Sequence, residues 1–113
     1  MRIISGRYKG RVLEAPRGND IRPTSDKVRG SVFNILRGRG VLDGVSVLDL
    51  FCGTGALGLE ALSNGARQCV FVDKDRRSLD LARRNADRLG AEGCAFILQD
   101  ALCLLYTSDA ADE

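Results

Sequence analysis

One hundred and thirteen residues, 44% hydrophobic and 28% charged, suffice for one ordinary soluble globular domain at most. No apolar run approaches the roughly 18–20 residues of a membrane span, and the leading Met1-Arg-Ile-Ile-Ser-Gly6 lacks a signal-peptide core, so a cytoplasmic protein is expected. The chain has no histidine, which excludes imidazole-based triads and His-containing zinc sites, and its formal charge of +2 is unremarkable only as an average.

Residues 1–40 carry ten Arg or Lys against three acids, giving +7, whereas residues 41–113 carry seven against twelve, giving −5. A basic leading segment of this kind suggests a polyanionic partner. Within it, Arg2–Ile4 and Arg11–Leu13 read as short strands joined by the basic, glycine-bounded turn Gly6-Arg-Tyr-Lys-Gly10. Pro16–Asp20 is loop. A helix then starts near Thr24 or Ser25, either of which caps free N–H groups, with Asp26 placed favourably against the helix dipole. Val28, Val32, Ile35 and Leu36 fall on one face at helical spacing, leaving Arg22, Lys27 and Arg29 near the helix start or on the open side.

From Val41 the texture changes to strand–helix alternation. Val45–Phe51 is a nearly continuous apolar run, the pattern of a parallel strand covered on both faces. Ala56–Asn64 is a helix stopped by Gly65, Cys69–Val72 a second strand, Arg76–Leu89 an amphipathic helix closed by Gly90, and Ala95–Leu98 a third strand. This order predicts an α/β fold with a parallel sheet of Rossmann type. Cys52, Cys69, Cys94 and Cys103 form no CxxC pair, so they read as small buried hydrophobes of a reduced protein, and no metal is expected.

Gly53, Gly55 and Gly58 stand in GxGxxG spacing between the first strand and its helix, where glycine permits a sharp turn and close backbone approach to a ligand. Asp73 ends the second strand 20 positions after Gly53, suited to ribose hydroxyls, and Asp100 follows the third. Asp49, just ahead of the glycine loop, discriminates between cofactors. A dinucleotide would bring a pyrophosphate dianion against this carboxylate, whereas S-adenosylmethionine brings an ammonium and a sulfonium. The charge sign therefore favours S-adenosylmethionine over NAD. An NAD-dependent Rossmann oxidoreductase and a non-catalytic RNA-binding module are the competing readings.

The segment Asp-Leu-Phe-Cys-Gly-Thr-Gly-Ala-Leu-Gly-Leu-Glu-Ala-Leu-Ser (49–63) resembles the cofactor motif of class I methyltransferases. Residues 2–13 (RIISGRYKGRVL) and 21–29 (IRPTSDKVR) are similar to the leading signatures of the RsmD family, which methylates the exocyclic N2 of a guanine in bacterial small-subunit (16S) ribosomal RNA. The resemblance implies a partial Rossmann-like class I methyltransferase fold of three parallel strands with helices, preceded by a small basic β-hairpin and helix. It further implies an RNA-facing part over 1–40, a truncated cofactor-binding part over 41–102, and an intact protein that is monomeric. Carried over by position, Asp49, Phe51, Gly53, Gly55, Asp73, Asp100 and Ala101 would contact the cofactor, and Arg7, Lys9, Arg11, Arg22, Thr24 and Arg29 the RNA of the small-subunit particle. The family's catalytic Asp/Asn-Pro-Pro-Phe/Tyr motif has no counterpart, since the only prolines are Pro16 and Pro23. No catalytic residue is therefore nominated, and the chain as it stands is expected to be inactive. Residues 103–113 resemble a translated sequencing adapter and are expected to lie outside the fold. The strand over 45–51 would then keep an unpaired apolar edge, prone to aggregation.

Overall fold

The computed structural model describes residues 1–15, 26–50 and 52–100. Its elements run α1 (Asp26–Gly38), β1 (Ser46–Leu50), α2 (Ala56–Ser63), β2 (Gln68–Asp73), α3 (Arg76–Leu89) and β3 (Cys94–Leu98). The strands form one parallel sheet in the order β1-β2-β3, with Asp49 opposite Phe71 and Phe71 opposite Phe96. Every strand and helix expected after Val41 is present to within two residues at either end.

The best-defined element in the sequence, α3, has the expected bounds. Asp75 in extended conformation caps it, its carboxylate accepting the Arg77 N–H at 2.8 Å, and Gly90 closes it with a left-handed φ of 67°. Its buried side, including Leu79, Ala82, Ala86 and Leu89, packs into the common core with the sheet. Phe71 and Phe96 stack at 5.1 Å between ring centroids, and α2 and α3 cover this same face.

The other face departs from expectation. Leu48 and Ile97, on the face away from α2 and α3, are 50% and 38% exposed, so among the described residues β1 is not covered on both sides. The order β1-β2-β3 steps in one direction, and crossovers of the usual single hand then put both helices on one face, with β1 an edge of the three-stranded sheet.

The N-terminal arm is a hairpin with little strand character. Arg2 and Val12 make a single antiparallel bridge, supported by Ile3 N–H to Arg11 O (3.0 Å) and Leu13 N–H to Met1 O (2.8 Å). Alternate side chains Ile3 and Leu13 are buried in the common core, which fixes which side of the hairpin faces solvent.

Helix α1 is rotated by one residue relative to the expected apolar face. Val28, Val32 and Ile35 are exposed, while Arg29 and Phe33 are buried. The reason is an ion pair, described next.

Candidate cofactor-binding site and basic arm

Asp49 projects from β1 on the helix-covered face, and its Oδ2 accepts the Gly58 N–H at 3.0 Å. The side chain is almost fully buried. Burial pushes its carboxyl up to about 6; the Gly58 N–H opposes this and the charge of Asp73 adds to it. Burial, reinforced by Asp49 and Asp73, likewise pushes the Cys52 thiol up to about 12, so it is an uncharged lining group at neutral pH.

The glycine loop leaves β1 and is held from β2. Asp73 accepts the Gly53 N–H (3.1 Å) on one carboxylate oxygen and the Asp75 N–H (2.9 Å) on the other. Each oxygen retains acceptor capacity. The three glycines do different work. A β-carbon on Gly58 would lie 2.4 Å from Phe71 Cε1 and 2.7 Å from Cys69 Sγ, so this glycine lets α2 approach the sheet. One on Gly55 would lie 3.0 Å from Ala82 Cβ, so that position serves packing against α3 as well as the turn. Gly53, with φ +54°, faces open space, with nothing within 4 Å of a β-carbon. Asp73, which accepts the Gly53 N–H, stands beside that space, and a carboxylate there would repel a phosphate.

Asp49, Gly53, Gly55 and Asp73 are thus brought together. Asp100 is exposed two residues beyond β3, at the same carboxyl edge of the sheet. Phe51, Ala101, Arg22 and Thr24 lie outside the described residues, as do residues 103–113. Arg7, Lys9 and Arg11 are exposed on the hairpin.

Arg29 requires a correction: it is fully buried and does not face a partner. Its Nε donates to Glu60 Oε1 (3.1 Å), and its Nη2 bonds Asp26 (2.8 Å) and the Arg2 carbonyl. Glu60, buried in α2, also accepts the Ile4 N–H (3.0 Å), the Ser5 N–H (3.1 Å) and the Ser5 hydroxyl (3.1 Å). A carboxylate buried this deeply needs a counter-charge, and α1 supplies it by turning Arg29 inward.

A second polar hub joins the arm to the loop. Asn85 of α3, fully buried, accepts the Glu14 N–H (2.7 Å) and donates to Glu14 O (3.0 Å) and Thr54 O (2.9 Å). Neither Glu60 nor Asn85 is nominated by the motifs. Each nonetheless carries a sequence signal, a polar residue at a core phase of an otherwise apolar helix face.

Comparison with known proteins identifies the class. A solved structure of a hypothetical protein from Thermus thermophilus superposes with TM-score 0.84, at 34% identity, covering 100% of this chain and 63% of that one. The magnesium protoporphyrin IX methyltransferase of Synechocystis PCC 6803, solved with bound SAM, matches with TM-score 0.59 at 29% identity, over 66% of this chain and 36% of that one. The fold is that of class I methyltransferases. Residues 1–112 match the family described as Conserved hypothetical protein 95, and the chain belongs to this family, the RsmD family. The Bacillus subtilis (strain 168) protein YlbH is 47% identical over 89 residues, covering 79% of this chain and 47% of its own. The Escherichia coli (strain K12) ribosomal RNA small subunit methyltransferase D is 37% identical over 105 residues, covering 93% of this chain and 52% of its own. The chain thus spans about half the length of these relatives.

Proposed function

We propose that this chain is the N-terminal part of an S-adenosylmethionine-dependent methyltransferase whose substrate is the N2 amine of a guanine in 16S ribosomal RNA. The observation that carries the reading is the buried Asp49 carboxylate beneath an open glycine loop, with Asp73 beside it. Acids in that place attract the ammonium and sulfonium of the methyl donor and repel a dinucleotide's phosphates. When bound, the cofactor supplies a methyl group activated by the positive sulfur.

The chain's own residues bind and orient. Asp49 meets the methionine end, Gly53 leaves room for close approach, and Asp73 receives ribose hydroxyls while holding the loop that frames them. Asp100 borders the adenine side. Exposed Arg7, Lys9 and Arg11 engage phosphates of the RNA, the salt-dependent part of its binding. The reaction needs the target amine placed in line with the methyl group, so positioning supplies most of the rate. The residues that hold the guanine belong to the Pro-Pro motif absent from this sequence. The setting is a cytoplasmic monomer. Among the described residues no helix is long and apolar enough to cross a membrane.

Calorimetric titration tests the reading. The native chain is expected to bind S-adenosylmethionine in preference to NADH, and Asp49→Ala to lose that binding. Preference for NADH, or binding indifferent to Asp49→Ala, would overturn it.

A further inference from the structure

The exposed surface of α3 is divided into two rows. Arg77, Arg84 and Arg88, seven and four residues apart, lie within one narrow stripe and are all basic. Arg76, Asp80, Arg83 and Asp87 form the other row, which has no net charge and turns toward β3, where Arg83 stacks over Phe96 at 5.0 Å from its centroid.

The basic row lies against the N-terminal arm. Arg11 Nη2 donates to the Arg88 carbonyl at 2.8 Å, seating the hairpin on the C-terminal end of α3. Three residues further on, Glu14 meets Asn85 and pairs with Arg84 at 3.2 Å. The arm therefore runs along this stripe, from the far end of α3 toward the end beside Asp73 and the glycine loop. Arg77 is 92% exposed, its contact with Asp75 stretched to 3.7 Å. Arg88 is exposed and makes no ion pair among the described residues.

We propose that the Arg77–Arg84–Arg88 row is a second RNA-binding surface. It continues the basic hairpin over about 16 Å of helix and leads the phosphate backbone toward the carboxyl edge of the sheet. The inference rests on the rRNA reading above and extends it, because the hairpin alone would leave the RNA at the end of α3 remote from the glycine loop. Arg84 exchanges its surface pair with Glu14 for a phosphate at little cost, since an exposed pair of this kind is weak.

The test uses the full chain, a fluorescein-labelled RNA hairpin and anisotropy titrations across a range of salt. Arg77→Gln combined with Arg88→Gln removes two charges and leaves the seat of Arg11 intact, because that contact is to a main-chain carbonyl. Loss of two phosphate contacts lowers the slope of log affinity against log salt by about 1.4–1.8, and affinity near about 0.1 M salt by roughly 25–60-fold. Arg76→Gln combined with Arg83→Gln removes the same charge from the other row and is expected to cost less than about fivefold. Unchanged thermal unfolding confirms that both variants fold. Equal losses from the two rows would overturn the inference. So would full affinity in the Arg77/Arg88 variant beside a weakened Arg7→Gln/Lys9→Gln hairpin variant, a result that leaves the rRNA reading standing. A native chain that binds no RNA overturns both.

Discussion

Asp49→Asn isolates the charge from the shape of the site. Asparagine keeps an oxygen to accept the Gly58 N–H and cannot ionise. In the native chain the carboxyl sits at about 6 instead of its ordinary 3.8, chiefly because burial penalises the charged form. The folded state therefore holds this proton over a range where the unfolded state has released it. Stability falls as pH rises from about 4 to about 6, and the loss is complete above that. The difference between the two values corresponds to about 3 kcal/mol. Relative to the native chain, the asparagine variant should be more stable at about pH 7.5 than at about pH 4 by most of that amount, about 2 kcal/mol, a shift of roughly 10 °C in Tm. Urea unfolding at both pH values, comparing variant with native, cancels every other titrating group. The variant should bind S-adenosylmethionine at least about tenfold more weakly at neutral pH, and native affinity should rise with pH through about 6 as Asp49 ionises. A variant whose stability relative to native is the same at both pH values would refute the burial argument. Unaltered affinity would refute the role assigned to the charge.

Glu60→Ala should destabilise by about 3–5 kcal/mol in chemical unfolding, because it takes a buried counter-charge from Arg29 and the acceptor from the Ile4 and Ser5 N–H groups. Glu60→Leu with Arg29→Met should recover only part of that loss, since those two N–H groups stay unpaired. Gly58→Ala places a methyl within 2.4 Å of Phe71, so a stability loss of about 1–3 kcal/mol is expected by calorimetry. Gly53→Ala meets no such wall and should cost only about 1 kcal/mol for its positive φ, while weakening cofactor binding several-fold by titration as the methyl fills the opening. Asn85→Ala leaves the Glu14 and Thr54 backbone groups unpaired, and should lower stability by about 2 kcal/mol and loosen hydrogen-exchange protection in both the arm and the glycine loop.

The sheet half of the molecule was legible because several local signals agree there. In α3, the apolar spacing from Leu79 to Leu89 and the Gly90 stop point to the same bounds, and the Asp75 cap, not singled out from the sequence, agrees with them in the structure. The glycine loop was legible as a motif, and Asp73 was found from its distance to Gly53; that its carboxylate anchors the loop itself needed three dimensions. Helix α1 misled for a physical reason. Its Val28–Val32–Ile35 row satisfies the rule of apolar periodicity, but the carboxylate of Glu60, 31 residues after Arg29, outweighs it and draws a cation inward. Periodicity within one helix carries no information about a counter-charge on another. The run over 45–51 suggested a strand enclosed on both faces, and hydrophobicity alone could not say that α2 and α3 would share one side.

The two polar hubs bear on how this protein is taken apart. Without its first fourteen residues, Glu60 would lose the Ile4 and Ser5 amides and Asn85 both groups of Glu14, leaving acceptors and donors stranded inside the remaining body. The basic hairpin is accordingly no detachable tag: it is mortared into the wall it decorates, and neither half is a sound candidate for expression by itself.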